Sequence, residues 1–200
     1  MVPANPSPAT PDAAAESGEK RIRILDAAQS LFLRYGVRRT SIDDVAREAG
    51  IAKGTVYLYF DSKTALFAAI AERLCAATLA RAKAIVAEAR PPAERLVAFL
   101  DCYVGETQRM IAQSPHVAEL TASKEAIAAA AYEAHDGRMA SLLTGLLEEA
   151  GVAHDAATEM FTAAAMGTLR TGDIAEEPYR ARLAMITNIL LAGLVGEATR

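Results

Sequence analysis

Apolar side chains along this chain recur at spacings of three and four, and no stretch alternates as strands do, so the pattern predicts an all-α protein. Ile24, Ala27, Ala28, Leu31 and Phe32 form the first such stripe, and Gly36 follows as a helix-stopping glycine should. About nine helices are predicted, near 19–35, 42–49, 53–59, 62–89, 92–113, 116–121, 124–150, 155–171 and 178–198. Prolines are absent from 19 to 90 and then stand at 91, 92, 115 and 178, where they mark breaks between helices. Three short helices precede longer ones, and the change of scale falls in the fourth. The expected organisation is therefore a small three-helix head over 19–65 and a larger helical body over 66–200. Residues 1–18 hold four prolines and almost no large apolar side chains, too little to offset chain entropy, and are expected to form a disordered tail.

The second and third helices carry the most specific pattern. Ser41, with Asp44 three residues on, is a capping-box-like start, and two acids in the first turn suit the helix dipole. Counting from Ile42, Ala46, Gly50 and Val56 occupy the fifth, ninth and fifteenth places. A helix-turn-helix needs a small residue where its helices nearly touch, a glycine for the sharp turn, and an apolar residue to seat the second helix. Val45, Ile51 and Tyr57 add contacts. Val56 and Phe60 should face inward, leaving Lys53, Gly54, Thr55, Tyr57 and Tyr59 available outward. A lysine at a helix N-terminus opposes the dipole unless a phosphate or a guanine lies beyond it. The tyrosine hydroxyls can reach phosphates, and Lys63 adds a cation at the start of the next helix.

Charge fits a head of this kind. The formal net charge of −4 argues against a non-specific polyanion binder, but residues 19–63 hold nine Lys/Arg against six Asp/Glu, a net of +3. A locally basic head on an acidic body suits docking by one end. With 52% hydrophobic residues the body has ample core material. Cys75 and Cys102 make neither a disulfide framework nor a metal spacing, and His116, His135 and His154 are scattered, so no metal or cofactor is expected. No glycine-rich phosphate loop, nucleophile motif or HExxH helix points to an enzyme. No signal-peptide pattern is seen, and Leu183–Gly196 is too short to span a bilayer, so a cytoplasmic protein without a membrane partner is expected.

The run Ile24-Leu25-x-Ala27-Ala28-x-x-Leu31-Phe32-x-x-x-Gly36, then Thr40-Ser41-Ile42-x-x-Val45-Ala46-x-x-Ala49-Gly50-Ile51, then Lys53-Gly54-Thr55-Val56-Tyr57-x-Tyr59-Phe60-x-Ser62-Lys63-x-x-Leu66 resembles the tetracycline-repressor (TetR/AcrR) family. The resemblance covers roughly residues 19–70 without gaps. It implies a transcriptional regulator, most simply a repressor, whose head binds double-stranded operator DNA as a homodimer and whose body releases it on taking up a small apolar or amphipathic ligand. Carried over by position, Thr40 or Ser41 would hold a phosphate. Lys53, Gly54, Thr55, Tyr57 and Tyr59 would form the DNA-facing surface, and Lys63 would reach the backbone. The recognition helix has no Gln, Asn or Arg for bidentate base reading, so Lys53 and Thr55 are its best base readers.

Signals in the body are weaker. Small and aliphatic residues in the helices near 155–171 and 178–198, among them Ala163, Gly167, Ile189, Ala192 and Gly193, would let two helices per subunit build a four-helix dimer interface. Tyr103, Arg109, Met110, His116, His135 and Met139, with Met166 and Arg170 on a later helix, are the candidate ligand-pocket residues. The abundance of alanine also admits a tightly filled body that answers to a protein partner or to no ligand.

Overall fold

A computed structural model describes residues 11–152, 154–170 and 175–197, and every regular element among them is helical. In chain order they are α1 (Pro11–Tyr35), α2 (Ile42–Ala49), α3 (Lys53–Tyr59), α4 (Lys63–Val86), α5 (Pro92–Leu100), a π-helical turn (Asp101–Gly105), α6 (Glu106–Ala112), α7 (Val117–Ile127), α8 (Ala129–Glu149), α9 (Ala157–Arg170) and α10 (Glu176–Glu197). Because α5, the π turn and α6 run on without a break, the described residues form nine continuous helical rods. The all-α architecture with a helix-turn-helix head matches expectation. The chain divides at residue 70 into two compact units, inside α4 rather than at 65.

Three boundaries differ from the sequence reading for identifiable reasons. Residues 1–10 of the expected tail lie outside the described residues, but 11–18 belong to α1. Pro11 suits a first helical position, Ala13 to Ala15 are the best helix formers, and Lys20 bonds Glu16 one turn away at 2.7 Å. α10 begins at Glu176, two residues before the expected start at Pro178, so the proline sits in its first turn, where a missing N–H costs no hydrogen bond. Between α7 and α8 the break falls at Ala128 (φ −120°, ψ 13°), so Lys124 lies in the last turn of α7 instead of opening α8. No glycine or proline advertises that break.

In the first unit the α1 stripe is buried as predicted, and Val45, Ala46, Val56, Phe60 and Leu66 complete its core. Phe67 adds a ring contact to Phe32, with centroids 6.0 Å apart. In the second unit Leu96, Phe99 and Leu100 of α5 pack with Met139, Leu143, Leu146 and Leu147 of α8, Phe161 and Ala165 of α9, and Tyr179 and Leu183 of α10.

The π turn is where this second core becomes charged. Asp101 is buried, and its two oxygens accept from Arg109 Nη1 and from Arg180 Nε of α10, each at 2.7 Å. Arg109 in turn lies over the Tyr179 ring, 4.6 Å from its centroid. The wider winding is closed by the Glu106 N–H donating to the Asp101 carbonyl. Gly105 makes room for this cluster. A Cβ there would stand 2.4 Å from Asp101 Oδ1, 2.6 Å from Arg109 Nη1 and 2.8 Å from Tyr179 Cε1.

Substitutions should sort accordingly in urea melts. Gly105→Ala is expected to cost about 2 kcal/mol by overpacking, and Asp101→Asn about 3 kcal/mol because it strands a buried guanidinium. Gly137→Ala in α8, where a Cβ meets nothing within 4 Å, should instead be neutral or gain up to about 1 kcal/mol. Equal midpoints for Gly105→Ala and the parent would contradict this account of the π turn.

Candidate nucleic-acid interface

The helix-turn-helix is assembled by local hydrogen bonds. Ser41 (φ −103°, ψ 162°) caps α2: its Oγ accepts from the Asp44 N–H at 3.1 Å, while Asp44 Oδ2 accepts from the Ser41 N–H at 3.0 Å and from the Ser41 hydroxyl at 2.6 Å. The Ser41 hydroxyl, then its backbone N–H, hold the Asp44 carboxyl below the usual carboxylate range. Gly50 (φ 65°, ψ 42°) ends α2 in the left-handed region that a side chain would strain, and its N–H bonds the Ala46 and Arg47 carbonyls. Ala46 and Val56, fully or nearly fully buried, form the seam between α2 and α3.

Arg23 of α1 completes the junction, a role the sequence reading missed. Its Nη2 donates to the carbonyls of Ala49 at 2.5 Å and Gly50 at 3.3 Å, satisfying the end of α2. Nothing local to α2 signals it, because the partner lies a full helix earlier.

The outer face of α3 presents Lys53, Gly54 and Tyr57 as expected, together with Leu58, which is 84% exposed and was not anticipated. Thr55 and Tyr59 are half-buried, and the Tyr59 hydroxyl lies 3.1 Å from Ser17 Oγ. Lys53 bonds Asp43 of α2 at 3.0 Å, which holds its ammonium pKa above the usual value. That carboxylate offsets the opposing helix dipole without any external phosphate. Two of the expected contact residues are also tied into the fold. Thr40 is buried and donates its hydroxyl to the Gly36 carbonyl at 2.8 Å, so only Ser41 of the pair faces outward. Lys63 donates two of its three ammonium protons to the carbonyls of Thr40 (3.0 Å) and Arg38 (3.2 Å), stapling the loop before α2. A depression of about 370 Å³ beside α2 brings Arg34, Arg39 and Arg47 together with Asp44 and Glu48, and Arg47 pairs with Asp44 at 3.5 Å, so three cations outnumber two carboxylates there.

The body's candidate pocket residues separate. Tyr103 and His135 meet in one cavity of about 80 Å³, with ring centroids 6.0 Å apart. Arg109 belongs to the Asp101 cluster, and Met139 fills the closed core at 0% exposure. Met166 and Arg170 lie exposed on α9, since the inward positions of that helix fall to Phe161, Ala165 and Thr168. His116 is the half-buried residue before α7, and neither it nor Met110 lines the Tyr103 cavity. Of the small residues noted in the last two helices, Ala163, Gly167, Ala192 and Gly193 are exposed, as are Met160, Met166, Met185 and Ile189 on the same helices. Among the described residues no group of three or more His, Cys, Asp or Glu could hold a metal ion, and no helix is long and apolar enough to cross a membrane.

Residues 24–70 match the family model described as bacterial regulatory proteins, tetR family. A curated relative in Bacillus subtilis, the uncharacterized HTH-type transcriptional regulator YvdT, is 44% identical over 68 residues, 34% of this chain and 35% of that protein. The chain thus aligns with only about a third of that relative's length. The HTH-type transcriptional regulator SrpR of Pseudomonas putida is 42% identical over 57 residues, 28% of this chain and 27% of that protein. A solved transcriptional regulator of the TetR/AcrR family from Thermobifida fusca is similar over the whole fold, with TM-score 0.64, 26% identity, and coverage of 88% of this chain and 98% of that one. These likenesses are to regulators, not to enzymes.

Two measurements test the local chemistry. Ser41→Ala should cost about 1 kcal/mol of stability by removing the α2 cap. His135 is held below its ordinary pKa of 6.5 by burial, against the opposing pull of Asp136. The native state therefore takes up this proton less readily than the unfolded chain. Its contribution to stability is complete above about pH 6.5 and falls as the pH drops below that. The melting temperature should decline on the acid side, and His135→Gln should flatten that decline; an unchanged slope would contradict the burial argument.

Proposed function

We propose, from the premise that the head of this chain belongs to the tetR family of bacterial regulatory proteins and its whole fold is that of TetR/AcrR regulators, that it is a transcriptional repressor binding operator DNA. The observation that carries this is the α2–α3 seam, closed by Ala46, Gly50 and Val56, with Lys53, Gly54 and Tyr57 left on the opposite side of α3. A short helix held so rigidly can enter a major groove, where Lys53 offers the best base or phosphate contact and the Tyr57 hydroxyl a phosphate contact. Ser41 and the arginines of the depression beside α2 suit the flanking backbone. The protein would act in the cytoplasm, on the chromosome.

Dimerisation through α9 and α10 is part of the proposal. Met185 is 61% exposed and Ile189 58%, one turn apart on α10, and Met160 and Met166 are exposed on α9. Apolar side chains aligned in this way on two neighbouring helices are the kind of surface a second copy covers. Two-fold symmetry then presents two heads to two half-sites. A small organic effector in the body would release the DNA by favouring one arrangement of the dimer over the other.

One observation favours a second reading of the body. Its cavity beside Tyr103, of about 80 Å³, is far below the roughly 300–1,000 Å³ of drug-sized sites, and its two larger hollows, of about 490 Å³ each, lie open at the surface. A body whose larger hollows open to solvent suits a regulator that answers to a protein partner, and a thermal-shift screen separates the two, since an effector raises the melting temperature by mass action.

In mobility shifts with the protein's own promoter region, affinity should fall steeply with salt. Lys53→Ala should weaken binding about tenfold and lower the salt slope by about one; no shift at low salt would sink the reading. Met185→Glu with Ile189→Glu should yield a monomer in sedimentation with weakened operator binding, and an intact dimer would overturn the proposed interface.

A further inference from the structure

The small cavity of the body is lined by three aromatic side chains, and a lysine ammonium lies over one of them. Tyr103, Tyr132 and His135 supply aromatic surfaces, and the Tyr103 hydroxyl donates to Asp136 Oδ1 at 3.1 Å. Lys124, from the end of α7, holds its ammonium 4.0 Å from the Tyr132 ring centroid. No carboxylate within 4 Å forms a salt bridge with this ammonium among the described residues, so the ring face is its principal partner. His135 is 6% exposed, and its Nδ1 is a buried polar atom with no hydrogen-bond partner. Native structures seldom leave such an atom without a partner unless a ligand or water completes it.

Three physical points fix the kind of occupant. Burial keeps both tyrosines neutral, with Tyr132 pushed up to about 12, so their rings present negative faces. The free space of about 80 Å³ is roughly half of the ~150 Å³ that admits benzene, so a guest must displace something. Lys124 is the group best able to leave. It is half-buried, long and flexible, and its ammonium regains hydration on swinging out. Asp136 is exposed and accepts the Tyr103 hydroxyl, so a cationic guest gains a nearby counter-charge that a neutral guest cannot use, and an anion would be opposed.

We propose that this cavity binds a small organic ammonium bearing one hydrogen-bonding group, which displaces Lys124 from the face of Tyr132, takes Asp136 as its counter-charge and engages His135 Nδ1. Lys124 is the internal competitor, and its release frees the C-terminal turn of α7. The inference rests on the reading of the body as an effector domain and names the class of effector.

Choline and its uncharged isostere 3,3-dimethyl-1-butanol are suitable probes, titrated calorimetrically into the full-length protein without DNA. Lys124→Met, which keeps an apolar stem against Tyr132 but removes the competing charge, should bind choline about tenfold more tightly than the parent protein. The same variant should prefer choline over the isostere by about tenfold or more. Tyr132→Leu and Asp136→Asn should each reverse the gain when introduced beside Lys124→Met, while Tyr132→Phe keeps it. Equal choline affinities for parent and Lys124→Met, or equal affinities for choline and the isostere, would overturn the proposal. Choline that binds by these criteria without loosening the DNA complex would uphold the site and overturn the effector reading instead. Absent binding with normal DNA affinity would overturn the site alone.

Discussion

Gly50, at φ 65°, turns the chain between α2 and α3 so tightly that the Ala46 carbonyl accepts from the N–H groups of both Gly50 and Ile51. The rest of the head follows from that turn. Only a small residue at 46 lets the two helices approach, only an apolar residue at 56 closes the seam, and only a donor from outside can satisfy the carbonyls that the turn leaves facing away from α2. Arg23 is that donor. Its reach from α1 ties the stripe that packs the head to the turn that aims α3. The outer side chains of α3 are thereby held on a framework with little freedom of its own, which is what recognition of a rigid duplex demands.

The body solves a different problem. Its core is mostly apolar, yet at its margin the π turn holds a buried carboxylate and a largely buried guanidinium, joined by a second, half-exposed arginine from α10 and by the face of Tyr179. Buried charge is a weak source of net stability, but it is unforgiving of misplacement, since each group must find its partner. Such a cluster defines how α10 seats against the rod of α5, the π turn and α6. The same rod carries Tyr103 into the small cavity on another side, so the two polar features of the body share one element.

Much of this was legible in the residue pattern. The α1 stripe, the capping box at Ser41, the turn at Gly50 and the inward pair Val56 and Phe60 are local, and local spacing reports them. What escaped notice depends on distance along the chain. Thr40 is a polar residue at a loop end, and only the fold shows that its hydroxyl is spent on Gly36. Lys63 and Arg23 are cations whose partners are backbone carbonyls more than twenty residues away, and carbonyls carry no sequence signature. In the body, eight candidate pocket residues were chosen by type, and the structure gathers only Tyr103 and His135. Helical phase placed Met139 in the core and Met166 on the surface. The break at Ala128, with no glycine or proline to mark it, moved Lys124 onto α7 and so hid its place beside Tyr132.

In the proposed dimer, two heads related by two-fold symmetry would read two copies of one short sequence, and the spacing of those copies would be set by the dimer and not by either head. Selection of bound duplexes from a random DNA pool tests this most directly. The account predicts enrichment of an inverted repeat whose half-sites are centred about one helical turn apart or a multiple of it. Failure to enrich any sequence at low salt, or enrichment of a single unrepeated half-site, would contradict it.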